Sequence, residues 1–245
     1  MNPKTITLCG MAAVTSRWEK NPESFRRLFF DHDKGRQIGA MSKALAAARK
    51  IYRCVEADEL ARVAGSVHHG GIVAIVMAPR FEAPTRSDPE KWAAAKEGVL
   101  VLDRVGNSHN LGALARTAAF YGIKHIVIPD TPEAAKPNDS AYRIAEGGLE
   151  HVTVWTPRDL VPLMHDMAEL GYELVGAATR EGANDLTDLN PDAPLALVMG
   201  NEEGGMSRGV VRACTRLVTL AGTGHVESLN VSVAGAILMD RLFRD

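Results

Sequence analysis

Cysteine is scarce: Cys9, Cys54 and Cys214 are the only three in 245 residues, odd in number and without metal-ligand spacing. Neither a disulfide framework nor a structural zinc site is expected, and reduced thiols fit a cytoplasmic chain. Long apolar runs are lacking too. The longest, Ile72 to Pro79, falls far short of the roughly 18 residues a membrane helix needs, so no membrane association is expected. The stretch Ile6 to Val14 follows Lys4 as a signal-peptide core would, but Thr7, Cys9 and Gly10 interrupt it. Phosphate loops are missing as well. There is no G-x-x-x-x-G-K-[ST], and no G-x-G-x-x-G between a strand and a helix, which sets aside the ordinary kinase, ATPase and dehydrogenase readings. What is present is a normal globular composition, 46% apolar and 24% charged, long enough for one large domain or two modest ones.

The net charge of −2 conceals a division. Residues 1–97 carry 16 Lys/Arg against 11 Asp/Glu, a balance of +5, whereas residues 98–245 carry 12 against 19, a balance of −7. Only the first part is prepared for a polyanion, with Arg26, Arg27, Lys43, Arg49, Arg53 and Arg62 among its cations. Interleaved acids such as Asp31, Asp33, Glu56, Asp58 and Glu59 dilute that patch, and solvated helix faces would account for many of the same charges.

In the first part, β-rich runs at 5–8, 26–30, 51–55 and 71–77 alternate with helix-like stretches at 39–50 and 57–64, which describes a small α/β module. The polar stretch 81–97, with Pro84 and Pro89, reads as a linker. Beyond it, strands at 99–102, 125–128, 152–155, 173–178, 195–199 and 217–220 alternate with helices at 111–121, 140–146, 160–170, 209–213 and 229–244. Strands this apolar, separated by helices, predict a parallel sheet with helices on both faces. Ligands of such sheets bind at the carboxyl ends of the strands, so the residues after Leu102, Ala178, Met199 and Leu220 are where chemistry is expected.

Three glycine-bearing polar loops occupy such positions: 107–113, 200–207 and 222–230. Helix capping by Asn110, Ser207 and Ser228 explains part of the pattern. It leaves unexplained Arg116, near the start of one helix, and Glu202 and Glu203 beside consecutive glycines, where bare backbone could approach a flat ligand. An Arg, a Glu and short polar groups at one sheet edge suit a phosphate-bearing substrate and a cofactor with adenine and ribose.

The segments NLGALARTAAFYG (110–122), LVMGNEEGGMS (197–207) and VESLNVSVAGAIL (226–238) resemble, in order and spacing, the three motifs of the SpoU, or TrmH, family of RNA ribose 2′-O-methyltransferases in the SPOUT superfamily. Residues 68–73 (HHGGIV) resemble part of the L30e-like substrate-binding domain often placed in front. The resemblance implies an L30e-like domain over 1–80, a linker over 81–97, and a methyltransferase domain over 98–245 whose C-terminal part is threaded into a trefoil knot. It also implies S-adenosylmethionine as methyl donor, no metal, structured RNA (rRNA or tRNA) as substrate, and a homodimer formed through the methyltransferase domain. Carried onto this sequence, the cofactor contacts fall on Ala178, Thr179, Gly200, Leu220, Ser228 and Leu229, and the catalytic positions on Asn110, Arg116, Glu202, Ser228 and Asn230. Glu203 stands where many members have Gly, and Leu220-Ala221 replaces a common Ile-Pro pair.

The difficult partner in this chemistry is a ribose 2′-hydroxyl, a poor nucleophile that must be aligned and whose emerging negative charge must be stabilised. Arg116 suits that electrostatic role better than a general-base role, because a guanidinium holds its proton too tightly. Asn110 is expected to orient the ribose or Arg116, and Glu202 to fix Arg116 or the loops around it. Ser228 and Asn230 are expected to hold the loop around cofactor and substrate. The competing readings are an RNA-binding protein without turnover and an enzyme acting on a substrate other than nucleic acid; the intact set of polar motif residues and the basic first part weigh against them.

Overall fold

The computed structural model describes residues 4–178, 190 and 192–244. The chain opens with β1 (Thr5–Cys9), α1 (Met11–Lys20), β2 (Phe25–Phe30), α2 (His32–Gly35), α3 (Gly39–Ala47), β3 (Ile51–Cys54), α4 (Ala57–Ala64) and β4 (Ile72–Met77). These strands form a mixed sheet in the order β1-β4-β2-β3, with β4 antiparallel to both neighbours and β2 parallel to β3. The apolar run Ile6 to Val14 divides at Gly10, whose φ of +88° turns the chain from β1 directly into α1.

Residues 81–97 are not bare linker. They contain α5 (Ser87–Ala94), whose Trp92 is buried against the sheet that follows. That sheet is built from β5 (Val99–Asp103), β6 (His125–Val127), β7 (Thr153–Trp155), β8 (Glu173–Ala177), β9 (Leu195–Gly200) and β10 (Arg216–Val218). Its order is β10-β8-β9-β5-β6-β7 and every pairing is parallel. The helices are α6 (Ser108–Phe120), α7 (Asp139–Ala145), α8 (Leu160–Glu169), α9 (Arg208–Ala213) and α10 (Val231–Phe243).

Alternation along the strands separates the two helix layers. Leu100, Leu102, Leu197 and Met199 face α6, α7 and α10, whereas Val99, Val101, Ala196 and Val198 face α5, α8 and α9. Glycines permit the closest helix contacts: a Cβ on Gly112 of α6 would stand 2.6 Å from the Ala141 carbonyl of α7, and one on Gly235 of α10 would stand 2.5 Å from Leu114 of α6.

The first sheet is docked on the second. Buried residues of β1 and α1 continue into the cluster around α6 and α7. Arg17 of α1 forms a 2.7 Å ion pair with Glu150, on the short 3₁₀ turn Gly148–Glu150 after α7, and the two side chains are only 5% and 8% exposed. The Thr7 amide donates to Asp139 at the start of α7 (3.1 Å). Strand order reverses between β5 and β9: the chain runs outward from β5 through β6 to β7, then returns to β8 and β9 on the other side. The carboxyl ends of β5 and β9, where Asp103 pairs with Gly200, thus flank the switch point, where open parallel sheets generally hold their ligands. Among the described residues, no helix is long and apolar enough to cross a membrane.

Candidate active site

The site is assembled around the end of β5. Asp103 is buried and accepts hydrogen bonds from Arg104 Nε (3.2 Å) and the Ser207 amide (2.5 Å). Arg104 adopts φ +58°, a conformation that a side chain disfavours. Its carbonyl accepts from Asn201 Nδ2 (3.0 Å), and its guanidinium donates to the Gly205 carbonyl (3.4 Å). Asn201 closes the 200–207 loop by accepting from the amides of Glu203 (2.9 Å) and Gly204 (3.0 Å) and by exchanging main-chain bonds with Gly205. The loop folds so tightly onto Gly200 that a Cβ there would collide with the Met206 amide.

This loop presents Glu202 to α6. Asn107, not Asn110, is the N-cap of α6, accepting from the amides of His109 (2.8 Å) and Asn110 (3.4 Å), so the helix begins three residues earlier than the sequence suggests. The Asn110 side chain is thereby freed: its Nδ2 donates to Glu202, and its Oδ1 accepts from Asn230 Nδ2 (3.1 Å). Asn230 in turn caps α10, taking the Ser232 amide (2.9 Å) and hydroxyl (2.6 Å) on its own Oδ1. The polarity of this chain is fixed from both ends. The Ser232 amide only donates, so Asn230 turns its oxygen to it and its amide nitrogen to Asn110, whose own nitrogen then faces the Glu202 carboxylate.

Arg116 lies apart from that chain. Its guanidinium forms a 3.0 Å ion pair with Glu146, and both side chains are exposed. Glu202 therefore serves Asn110 rather than Arg116, because the 200–207 loop reaches the first turn of α6 while Arg116 lies along the flank facing the end of α7. The expected caps also move: Asn230 rather than Ser228 caps α10, and Ser207 begins α9 without a side-chain cap bond.

Three of the six predicted cofactor positions lie at the carboxyl ends of three adjacent strands. Ala178 follows β8 and its amide bonds to the Val218 carbonyl of β10 (2.8 Å); Gly200 ends β9; Leu220 follows β10 and is half-buried. Ser228 and Leu229 belong to the stretch 221–230, exposed along its whole length. Thr179 lies outside the described residues. The donor set fits S-adenosylmethionine: bare backbone around Gly200, main-chain groups of an exposed loop, and the apolar side chains of Val226 and Leu229 to cover an adenine ring. Three groups escaped sequence reasoning. Asp103 and Arg104 gave no signal beyond their place at a strand end, whereas Glu146, an acid before Gly147-Gly148 at a helix end, was detectable as a side chain where a left-handed glycine would be usual.

A parallel α/β sheet with polar, glycine-bearing loops at its topological switch point is the arrangement in which open α/β proteins hold a ligand. Two family models divide the chain between them: the SpoU rRNA methylase family matches residues 97–240, and RNA 2′-O ribose methyltransferase substrate binding matches residues 7–82. The 23S rRNA (guanosine-2′-O-)-methyltransferase RlmB of Nitrosomonas europaea is 33% identical over 238 residues, covering 96% of this chain and 90% of its own length. The protein of the same name from a Burkholderia species is 33% identical, covering 97% and 95%. Among solved structures, the AdoMet-bound rRNA methyltransferase of Sinorhizobium meliloti shares the fold, with a TM-score of 0.78, 20% identity, and coverage of 96% of this chain and 85% of that one. The chain belongs to the SpoU rRNA methylase family. Its activity is that family's RNA ribose 2′-O-methylation.

Proposed function

We propose that Asn110, Arg116, Glu202, Ser228 and Asn230 are the working residues of this methyl transfer, and that the crevice between the ends of β5 and β9 receives the target nucleotide. The observation that carries this reading is the Asn110 side chain, which joins Glu202 of one motif loop to Asn230 of another at the switch point of the sheet. When bound, S-adenosylmethionine supplies an activated methyl group on a sulfonium. The chain must align the ribose 2′-hydroxyl and stabilise its developing charge. Arg116 does this by forking onto the neighbouring phosphate and placing its positive charge beside the oxygen. Asn110, locked between Glu202 and Asn230, holds the ribose edge of the site rigid. Ser228 and Leu229, with Ala178, Thr179, Gly200 and Leu220, hold the cofactor.

The remaining features of the reading concern assembly. The C-terminal part of the sheet is threaded as a trefoil knot, and residues 1–80 form an L30e-like unit that holds structured RNA, 98–245 being the methyltransferase unit. Exposed Arg26, Arg27 and Arg53 on the neighbouring strands β2 and β3 favour that use of the first unit. Two copies associate through α6 and α10, where Phe120 is 81% exposed and Val233 is also uncovered. The enzyme works in the cytoplasm, where rRNA and tRNA substrates are found.

Labelled S-adenosylmethionine incubated with total RNA, followed by mass mapping of the modified nucleotide, tests the activity. Arg116→Ala should slow single-turnover methylation about 100- to 1,000-fold while leaving affinity for S-adenosylhomocysteine nearly unchanged. Near-normal turnover by an Ala variant that sediments like the parent refutes the role given to Arg116.

A further inference from the structure

Glu146 closes α7 with φ +44° and ψ +45°, a left-handed conformation usually given to Gly or Asn because a Cβ is crowded there. A glycine follows immediately, and its φ of +93° is left-handed as well. A long acidic side chain at such a position has a cost without a packing return, since it is exposed and, among the described residues, ion-pairs with Arg116 alone. It also places a negative charge beside the cation that meets RNA phosphate, which weakens Arg116 as a simple phosphate anchor. Orientation is what the pair supplies. The 3.0 Å contact uses one terminal nitrogen of the guanidinium, and no other described residue takes its remaining donors, which suit a second, forked acceptor.

The backbone carrying Glu146 is held from both sides. A Cβ on Gly148 would stand 2.8 Å from the Arg116 Cα and 3.1 Å from the Ala115 carbonyl, so this segment lies directly on α6. A Cβ on Gly147 would stand 2.9 Å from Ser16 Oγ and 3.2 Å from the Ala12 carbonyl, so its other side lies directly on α1 of the first unit. Two residues on, Glu150 is anchored by the buried pair with Arg17.

We propose that Glu146 is a positioning residue for Arg116, presenting the guanidinium to the substrate phosphate, and that docking of α1 on Gly147 sets its grip. The proposal rests on the reading of Arg116 as a catalytic group. Glu146→Gly tests it, because glycine suits the left-handed backbone and an exposed ion pair contributes little to stability. The full chain is assayed with labelled S-adenosylmethionine and total RNA. The rate at saturating RNA should fall about 10- to 100-fold, the half-saturating RNA concentration should stay the same or decrease, and the thermal midpoint should stay the same or rise. Glu146→Asp should not restore the rate, because the shorter side chain does not reach the guanidinium. In an Arg116→Ala background Glu146→Gly should have no further effect on turnover. A normal rate for Glu146→Gly alongside a slow Arg116→Ala overturns the positioning role only. A further tenfold loss in the Arg116→Ala background overturns it too, by showing that Glu146 acts elsewhere. Normal turnover by Arg116→Ala overturns the catalytic reading beneath it.

Discussion

Replacing Arg17 by Met would break the pair that fastens the first unit to the second. Both side chains are almost wholly removed from water, and the guanidinium also lies 3.4 Å from the Tyr142 hydroxyl and over its ring at 5.7 Å. Removing one partner of a buried pair leaves the other charge without compensation, at a cost of about 3–5 kcal/mol at neutral pH. The Glu150 carboxyl already titrates above its ordinary range, because burial outweighs the pull of Arg17, its hydrogen bond, and the weaker fields of His151 and Lys20. A group whose folded pKa is raised adds stability below its unfolded pKa, and that contribution is lost as pH rises through the folded value. Without Arg17 the folded value moves further up, so the deficit of Arg17→Met should be largest at neutral pH and shrink as pH falls toward 5. Urea unfolding of parent and variant from pH 5 to 8 measures this difference. Arg17→Met/Glu150→Leu, with neither charge left, should recover to within about 1 kcal/mol of the parent or exceed it. A single-variant loss below about 1 kcal/mol at neutral pH, or one independent of pH, would refute the reasoning.

Two further predictions concern the site and the back of the sheet. Gly200→Ala must push the 200–207 loop off the end of β9, so calorimetric affinity for S-adenosylhomocysteine should fall at least about tenfold, or about 1.4 kcal/mol; unchanged binding would place the cofactor elsewhere. Burial lowers the pKa of His125 against the raising effect of its Glu97 hydrogen bond, so its stabilising contribution is complete above the unfolded value of 6.5 and is lost as pH falls below it. His125→Phe should be less pH-dependent in thermal midpoint between pH 5 and 7.5 than the parent, and equal slopes would rule out this contribution.

Much of the fold is legible because its strands are short apolar runs buried on both faces. All six strands of the parallel sheet, and the four of the first, fall within one to three residues of the sequence expectation, and α4 falls on Ala57–Ala64 as read. Of the three helices the sequence did not indicate, α1, α2 and α5, the two longer ones were hidden for different reasons. The first, α1, begins two residues after β1, so Ile6 to Val14 reads as one apolar run until Gly10 reverses the chain. The other, α5, hides in a proline-bearing polar stretch and has Trp92 as its one large apolar residue, and that side chain finds its partners far away, stacked 4.4 Å from His125 and beside Trp155. The His125 ring is itself fixed by distant groups, accepting from Trp155 Nε1 (3.2 Å) and donating to Glu97 (2.8 Å) as a neutral imidazole. Partners such as Arg116 and Glu146, or Arg17 and Glu150, could not be paired from spacing, because close packing of α6 on α7 and of α1 on the following turn brings them together.

The motif loops are legible as a set but not as a circuit, and the circuit explains why the set is needed. Asn110, Glu202 and Asn230 come from segments far apart in the chain, yet the direction of every bond among them follows from the Ser232 amide at one end, which only donates, and the Glu202 carboxylate at the other, which accepts. If Glu202 were removed, the Asn110 amide nitrogen would lose its acceptor while its oxygen stayed bonded to Asn230, whose orientation the Ser232 amide at the start of α10 fixes. The loop leading into α10 contains Ser228 and Leu229, the positions assigned to the cofactor, whereas α6 carries Arg116, assigned to the nucleophile. A single polarity chain thus connects the structure around donor and acceptor, while the pairing of Arg116 with Glu146 connects α6 to the segment on which the first unit is docked. These two links leave α6 by different faces, so orientation from the cofactor side and orientation from the RNA side converge on one helix without sharing a residue.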